Sequence, residues 1–406
     1  MALTPHDWLS SYTRLSLRVA HQAGVPIDHR GPAAWRDEVA AEAPPPPGRL
    51  ADDADELLDH LPFAPDRARF LAAHGRALRT VARRLAGDDL PLREYARRCL
   101  GIDVDPVPDA ELEAAHDRLD AALPRTPGSV ADRLHAWQDA HRLRPGDAEQ
   151  LRDLVLRADA EARARTQAIV PLPEDEIVDC QVVSGVAFHA AGAHHGGPRS
   201  TVYVNGDVPF NVADLLYVVT HECHPGHIAE SLLKEVHLAG RHGGTGDAGS
   251  PGLHEMQARV LVSPQFVVSE GLGLHAQRLA FPGDEAGAWL ADHVYPELGI
   301  AADGADLAAV HEARNDLFGA WGNAALMLAD GRSHAEVRDH LARWALLSDA
   351  DLDRLGPDLA LFTAPYAEPY VFCYSQGWRL VGAFLERHPH DGPRRLLTEP
   401  LLPADL

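Results

Sequence analysis

Along most of the chain, apolar residues recur every three to four positions, the period of a helix that buries one face. The stretch DELLDHLPFAPDRARFLAAHGRALRTVARRLAG shows it clearly, and β-branched runs stay scarce up to about residue 170. The pattern predicts an N-terminal helical lobe over residues 1–170. EAPPPPGRL, at residues 42–50, interrupts it with a stiff polyproline stretch, read as a connector between a first helix pair and a larger bundle. After IVPLPEDEIVDC the texture changes: QVVSGVAFHAA and STVYVNGD alternate with β-branched residues across the glycine-rich link GAHHGGPR, which predicts a small hairpin. Helical periodicity then resumes through DLLYVVTHE, GHIAESLLKEVHLAG, PQFVVSEGLGLHAQRLA and GNAALMLADGRSHAEVRDHLARWALLS. The expected fold is mainly α with a minor β element, its second lobe spanning residues 171–406.

Within that second lobe, VVTHECHPGHIAE places three histidines and a glutamate within seven positions. Asn211 can cap a helix whose apolar residues Val212, Leu215, Leu216 and Val219 follow i, i+3, i+4, i+7, with His221 and Glu222 at its far end. Pro225 has no backbone N–H and would clash with the carbonyl of His221, so a break is expected there. A new helix should follow, with Ile228, Leu232 and Val236 on one stripe. The zinc-protease pattern H-E-x-x-H sets two imidazoles one turn apart with the glutamate as base, yet proline occupies the second histidine's place here. On a straight helix His227 would point about a third of a turn away from His221. Only a kink brings both to one ion, and His224 stands as the rival ligand.

A zinc site needs a third protein donor, and a carboxylate balances charge. Glu270, in SPQFVVSEGLGLHAQRL, is the best candidate: Ser263 and Pro264 read as N-cap and first helical residue. Gly271 and Gly273 each cost about 1 kcal/mol relative to alanine inside a helix, which points to something approaching closely.

Composition narrows the partners. Against 60 acidic residues stand 37 basic ones, for a formal charge of -23, and no basic stripe is present to neutralise phosphates. Nucleic acid and anionic membranes are disfavoured. Neither a basic leader with an apolar run nor an apolar stretch of about 20 residues occurs, so a cytoplasmic location is expected. The four cysteines, Cys99, Cys180, Cys223 and Cys373, are scattered and form no C-x-x-C pair, which argues for reduced, buried thiols.

HECHPGH, followed by SEGLGLHAQ and later YSQGWRL, resembles a bacterial family catalogued as domain of unknown function 885, whose pattern is H-E-x-x-P-G-H, then E-G-W-x-x-Y, then Y-x-x-G. The resemblance covers roughly residues 170–390. It implies a gluzincin-like zinc metallopeptidase fold enclosing a deep metal-containing cleft, with His221, His227 and Glu270 as ligands, Glu222 as general base and Tyr374 polarising the substrate carbonyl. RSTVYVNGD falls where the family has an extended segment that can pair with a substrate backbone, which makes Tyr203 and Asn205 substrate-binding candidates. Leu272 and His275 stand where the family commonly has Trp and Tyr, so His275 joins them, and Ile228 replaces a frequent second histidine. Arg199, Arg278, Arg314 and Arg379 lie near these segments and could anchor a substrate carboxylate.

The expected function is zinc-dependent hydrolysis of peptide or amide bonds in small substrates, with one Zn2+ ion. Two other classes share the donor set: a non-haem iron oxygenase with a facial triad, and a catalytically silent binding protein. Glu222 favours hydrolysis, since an oxygenase has no use for it.

Overall fold

A computed structural model describes residues 3–143, 148–241 and 253–406. Helices dominate, with two small sheets. The helix Pro5–Ala23 begins at a capping box in which Thr4 accepts from Asp7 N, and it stops at Gly24, whose φ of 65° is left-handed. Its residues Trp8, Tyr12, Leu15 and Val19 are buried, as the spacing predicts. The polyproline connector joins the helix Ala33–Ala41 to Pro47–Asp59, the latter opening on a proline. Pro65–Leu85 follows as one long helix.

Neither large core belongs to one side of residue 170. One joins Trp8, Leu71 and Tyr95 to Val267, Phe372 and Leu341, and the other joins Leu119 and Val155 to Leu216, Ile228 and Leu290. The fourfold scatter of cysteines fits this interior: all four are free and buried.

A short antiparallel pair, β1 (Ile27–His29) with β5 (Ala258–Val260), ties the N-terminal segment to the second lobe. In the other sheet, β3 (Ala190–His194) and β4 (Arg199–Asn205) form a hairpin, but β3 runs into the GAHHGGPR stretch expected as its link. The start of QVVSGVAFHAA belongs instead to β2 (Ile177–Val183), which adds in parallel on the far side of β4. The strand order β2-β4-β3 therefore puts β4 in the centre. Both of its edges are taken, so RSTVYVNGD cannot receive an added strand. The two edges of this sheet are β2 and β3.

Asn211 caps a single 3-10 turn, Val212–Asp214, by accepting from Ala213 N. The chain then enters a first half-helix, Leu215–Glu222, and after a break a second half-helix, His227–Arg241. Ile228 and Leu232 are buried as expected, but Val236 is 48% exposed. The buried face instead continues through Lys234, Glu235 and Leu238, because polar partners rather than apolar ones await it. Two further helices complete the frame, Pro264–Ala280 and Phe372–Arg387. They cross where Gly271 meets Gly377: a Cβ on Gly271 would stand 2.4 Å from the Gly377 carbonyl oxygen. No helix among the described residues is long and apolar enough to cross a membrane.

Candidate metal centre

The break between the half-helices brings the two histidines together. Cys223 leaves helical geometry at φ −107°, ψ −91°, the His224–Pro225 bond is cis, and the second half-helix starts at His227. The returning chain lies so close to the end of the first half-helix that a Cβ on Gly226 would fall 1.8 Å from the His221 carbonyl oxygen. Only glycine fits there. The His221 and His227 rings end 4.7 Å apart between centroids, nearly perpendicular at 87°.

Glu270 arrives from the helix Pro264–Ala280. Its Oε2 stands 3.3 Å from His221 Nε2 and its Oε1 3.5 Å from His227 Nε2. Gly273, one turn on, makes room for this meeting: a Cβ there would press to 2.6 Å of the His221 ring. One donor atom from each of His221, His227 and Glu270 lies within 4.8 Å of the others. Glu270 is 2% exposed, and its Oε2 accepts no hydrogen bond. A buried carboxylate oxygen left bare costs several times a normal hydrogen bond unless a cation answers it. Two imidazoles and that carboxylate suit zinc or another divalent transition metal.

The electrostatics agree. Burial by itself would raise the Glu270 carboxyl, but the neighbouring imidazoles of His227 and His221 hold it well below the usual carboxylate range. Burial would likewise lower His227, yet Glu270 overrides it and lifts the imidazole to about 9. The same field that draws a proton draws a metal ion.

Behind His227 runs a buried polar chain that fixes its ring. His227 Nδ1 is 3.0 Å from Ser269 Oγ, and Ser269 Oγ in turn donates to Glu230 Oε2 through a short bond. Glu230 also takes Lys234 Nζ at 2.6 Å, while Arg259 Nη2 donates to Ser269 Oγ at 2.9 Å. Lys234, the one lysine of the sequence, is thus spent on a buried ion pair. Burial would raise Glu230, but Lys234 and Arg259 bring it down to about 2. This chain leaves Nε2 of His227 free for the metal.

The sequence-predicted residues divide into those the fold brings to this centre and those it does not. Glu222 adjoins it: its Oε2 accepts from Gly192 N of β3 at 2.7 Å. Tyr374 is near but one step removed. Tyr370, which the sequence reading passed over, donates directly to Glu270 Oε1 at 2.5 Å, and Tyr374 OH donates to Tyr370 OH at 3.4 Å. The i, i+4 spacing of the two tyrosines was the available signal.

His224 is not a ligand in this arrangement. Its Nδ1 lies 2.7 Å from Asp159 Oδ1 and its Nε2 3.0 Å from Glu176 Oε1, all fully or nearly buried. Cys223 beside it is no nucleophile, since burial pushes its thiol well up.

Of the substrate-binding candidates, Asn205 spends its amide on the loop before β3, donating to the Val186 and Phe188 carbonyls and accepting from Asp207 N. His275 stacks on Trp378 at 3.9 Å, and both ring nitrogens are engaged, one with the Trp378 carbonyl and one with Arg278. Arg379 is bound to Glu111 at the surface. Arg199 is exposed at the start of β4, and Tyr203 sits half-buried in that central strand opposite Ala191.

The His224 triad carries a pH signature. Burial lowers its imidazole, but Asp159 and Glu176 outweigh that and raise it to about 9. Raised above the ordinary value of about 6.5, it contributes stability fully present below that pH and lost as pH climbs through 9. We expect His224→Gln to cost roughly 3–5 kcal/mol at pH 6, with the difference from wild type shrinking by pH 9.5, as measured by urea unfolding at both pH values. A difference independent of pH would contradict this reading of the triad.

No protein-family model matches this chain, and no curated protein matches it either. Among solved structures it is similar to a protein of Colwellia psychrerythraea described as a "putative lipoprotein", with 12% sequence identity and a TM-score of 0.56 over 88% of this chain and 64% of that one. This chain thus spans less than two thirds of that protein's length, and at such identity the likeness is one of fold: a mainly α architecture with a minor small sheet.

Proposed function

We propose that the chain is a zinc-dependent hydrolase of peptide or amide bonds in small substrates. The observation that carries this reading is the convergence of His221, His227 and Glu270 on one point, with a bare buried carboxylate oxygen and Glu222 alongside. These three would hold the ion; bound there, zinc supplies Lewis acidity, lowering the pKa of water to about 7 and polarising a carbonyl.

The rest is done by the chain's own groups. Glu222 takes a proton from the attacking water on its carboxylate and passes it to the leaving nitrogen. The Gly192 N–H holds that carboxylate in position. Tyr374, whose hydroxyl has only a long bond to Tyr370 among the described residues, can turn its proton to the developing oxyanion, while Tyr370 keeps Glu270 in place. Substrate backbone has a natural partner in β3. Asn205 N to His189 O and His195 N to Arg199 O fix the odd-numbered residues as bonded to β4, so Ala190 and Gly192 turn their backbone groups away from it. With the Gly192 N–H taken by Glu222, the Ala190 N–H and carbonyl and the Gly192 carbonyl are what the edge offers a substrate.

The test is metal analysis of the purified protein followed by a screen of dipeptides, N-acyl amino acids and simple amides. We expect about one zinc per chain, hydrolysis of some of these compounds, loss of turnover on chelation and recovery on adding zinc back. Bound iron with oxygen consumption would replace this reading by an oxygenase, and stoichiometric zinc without any hydrolysis would leave a binding protein.

A further inference from the structure

Four arginines near the motif segments were equivalent in the sequence, and the fold separates them. Arg379 is tied to Glu111, Arg278 donates to His275 and lies 5.9 Å over the Trp378 ring, and Arg199 is exposed on β4. Arg314 differs. It stands near the end of the helix Leu307–Asp316, and two residues that follow it touch residues flanking the metal centre.

Asn315, the next residue, accepts from Tyr217 OH at 2.5 Å and donates to the Leu274 carbonyl at 3.3 Å. Tyr217 lies one turn before His221 on the first half-helix, and Leu274 follows Gly273, the residue pressed on the His221 ring. Four residues after Arg314, Phe318 stacks on Tyr374 at 5.0 Å. The chain at Arg314 is therefore fastened to the helix that carries His221 through Asn315 and to Tyr374 through Phe318. His189, just before β3, feels both Arg314 and Glu222, although burial is what chiefly lowers its proton affinity.

The side chain is anchored at one nitrogen only. Nη1 donates to Asp214 Oδ1 at 2.6 Å, and the same oxygen lies 2.9 Å from His311 Nε2, itself stacked on Tyr217 at 4.6 Å. Burial would raise the Asp214 carboxyl, but Arg314 and His311 hold it well below the usual range, so the pair stays charged. Arg314 nevertheless keeps 29% side-chain exposure, and no other described residue accepts from its guanidinium. A planar fork fixed at one donor, with the others open, is built for a carboxylate.

We propose that Arg314 is the subsite for a substrate carboxylate, so that the substrates are N-acyl amino acids or short peptides cut next to a free C-terminal carboxylate. This rests on the hydrolase reading for its catalytic half, and its binding half can be measured without turnover. Hippuryl-phenylalanine and its C-terminal amide are compared with wild type, Arg314→Met and Arg314→Lys. Wild type should favour the acid by about 10–100-fold in kcat/KM, the scale of hydrogen bonds to a charged group. Arg314→Met should erase that preference by raising KM for the acid far more than KM for the amide. Arg314→Lys, which keeps a cation for Asp214, should recover part of it, and Arg379→Gln should retain all of it.

Equal use of acid and amide by wild type overturns the subsite and leaves the hydrolase reading standing. If neither compound is hydrolysed, calorimetry of N-acetylphenylalanine against N-acetylphenylalaninamide decides separately. Acid-selective binding lost in Arg314→Met upholds the subsite while the hydrolase reading falls, and absent or unselective binding of the acid overturns it.

Discussion

Glu222→Gln is expected to lower kcat by about 10²–10⁴-fold, the usual contribution of a positioned general base, which corresponds to roughly 3–5 kcal/mol of barrier. Bound zinc should be unchanged, because Glu222 is not among the three converging donors. The fold should also be unchanged: a glutamine oxygen can accept the Gly192 N–H as the carboxylate does. Only the ability to take up a proton is removed. Parallel measurement of metal content and turnover checks this, and undiminished hydrolysis by the variant would remove the mechanism outright.

Gly226→Ala should give the largest loss of stability among single methyl additions near the centre. The new Cβ would meet the His221 carbonyl oxygen at 1.8 Å and the Thr220 carbonyl oxygen at 2.4 Å, both main-chain atoms that cannot swing away. The chain would have to part at the point where the half-helices touch, separating His227 from His221. We expect about 3 kcal/mol or more of destabilisation together with loss of zinc binding. Gly48→Ala serves as the opposite case, since it lies in the helix Pro47–Asp59 with open space around it and should stabilise by about 0.5–1 kcal/mol. Thermal melts and zinc titration of both variants decide the matter, and a normal melting temperature with full zinc binding in Gly226→Ala would refute the close contact.

Much of this was legible in the residues because its causes are local. Proline cannot continue a helix, so the break at residue 225 followed from the sequence, and with it the way for His227 rather than a histidine at position 225 to meet His221. Gly271 and Gly273 flagged close approach, and one faces the Gly377 backbone while the other faces the His221 ring. What stayed hidden depends on partners far along the chain. Whether β4 or β3 forms the edge depends on where β2 docks, which no alternation pattern encodes. Ser269 and Glu230 are 39 residues apart, and nothing near either one announces the other. Tyr370 reaches Glu270 across a separation of 100 residues. Asn205 and His275 carried suitable chemistry, but loop carbonyls and a tryptophan claimed it first.

The crossing of Gly271 with Gly377 bears on the order of events during synthesis. A chain emerging from its N-terminus presents both histidines and Glu270 roughly a hundred residues before the helix Phe372–Arg387 exists. Until that helix is released and packs, Glu270 lacks the neighbour that sets its angle. A nascent chain can therefore own every donor and still offer no cage, so an ion at the proposed site would be held only once that helix has packed.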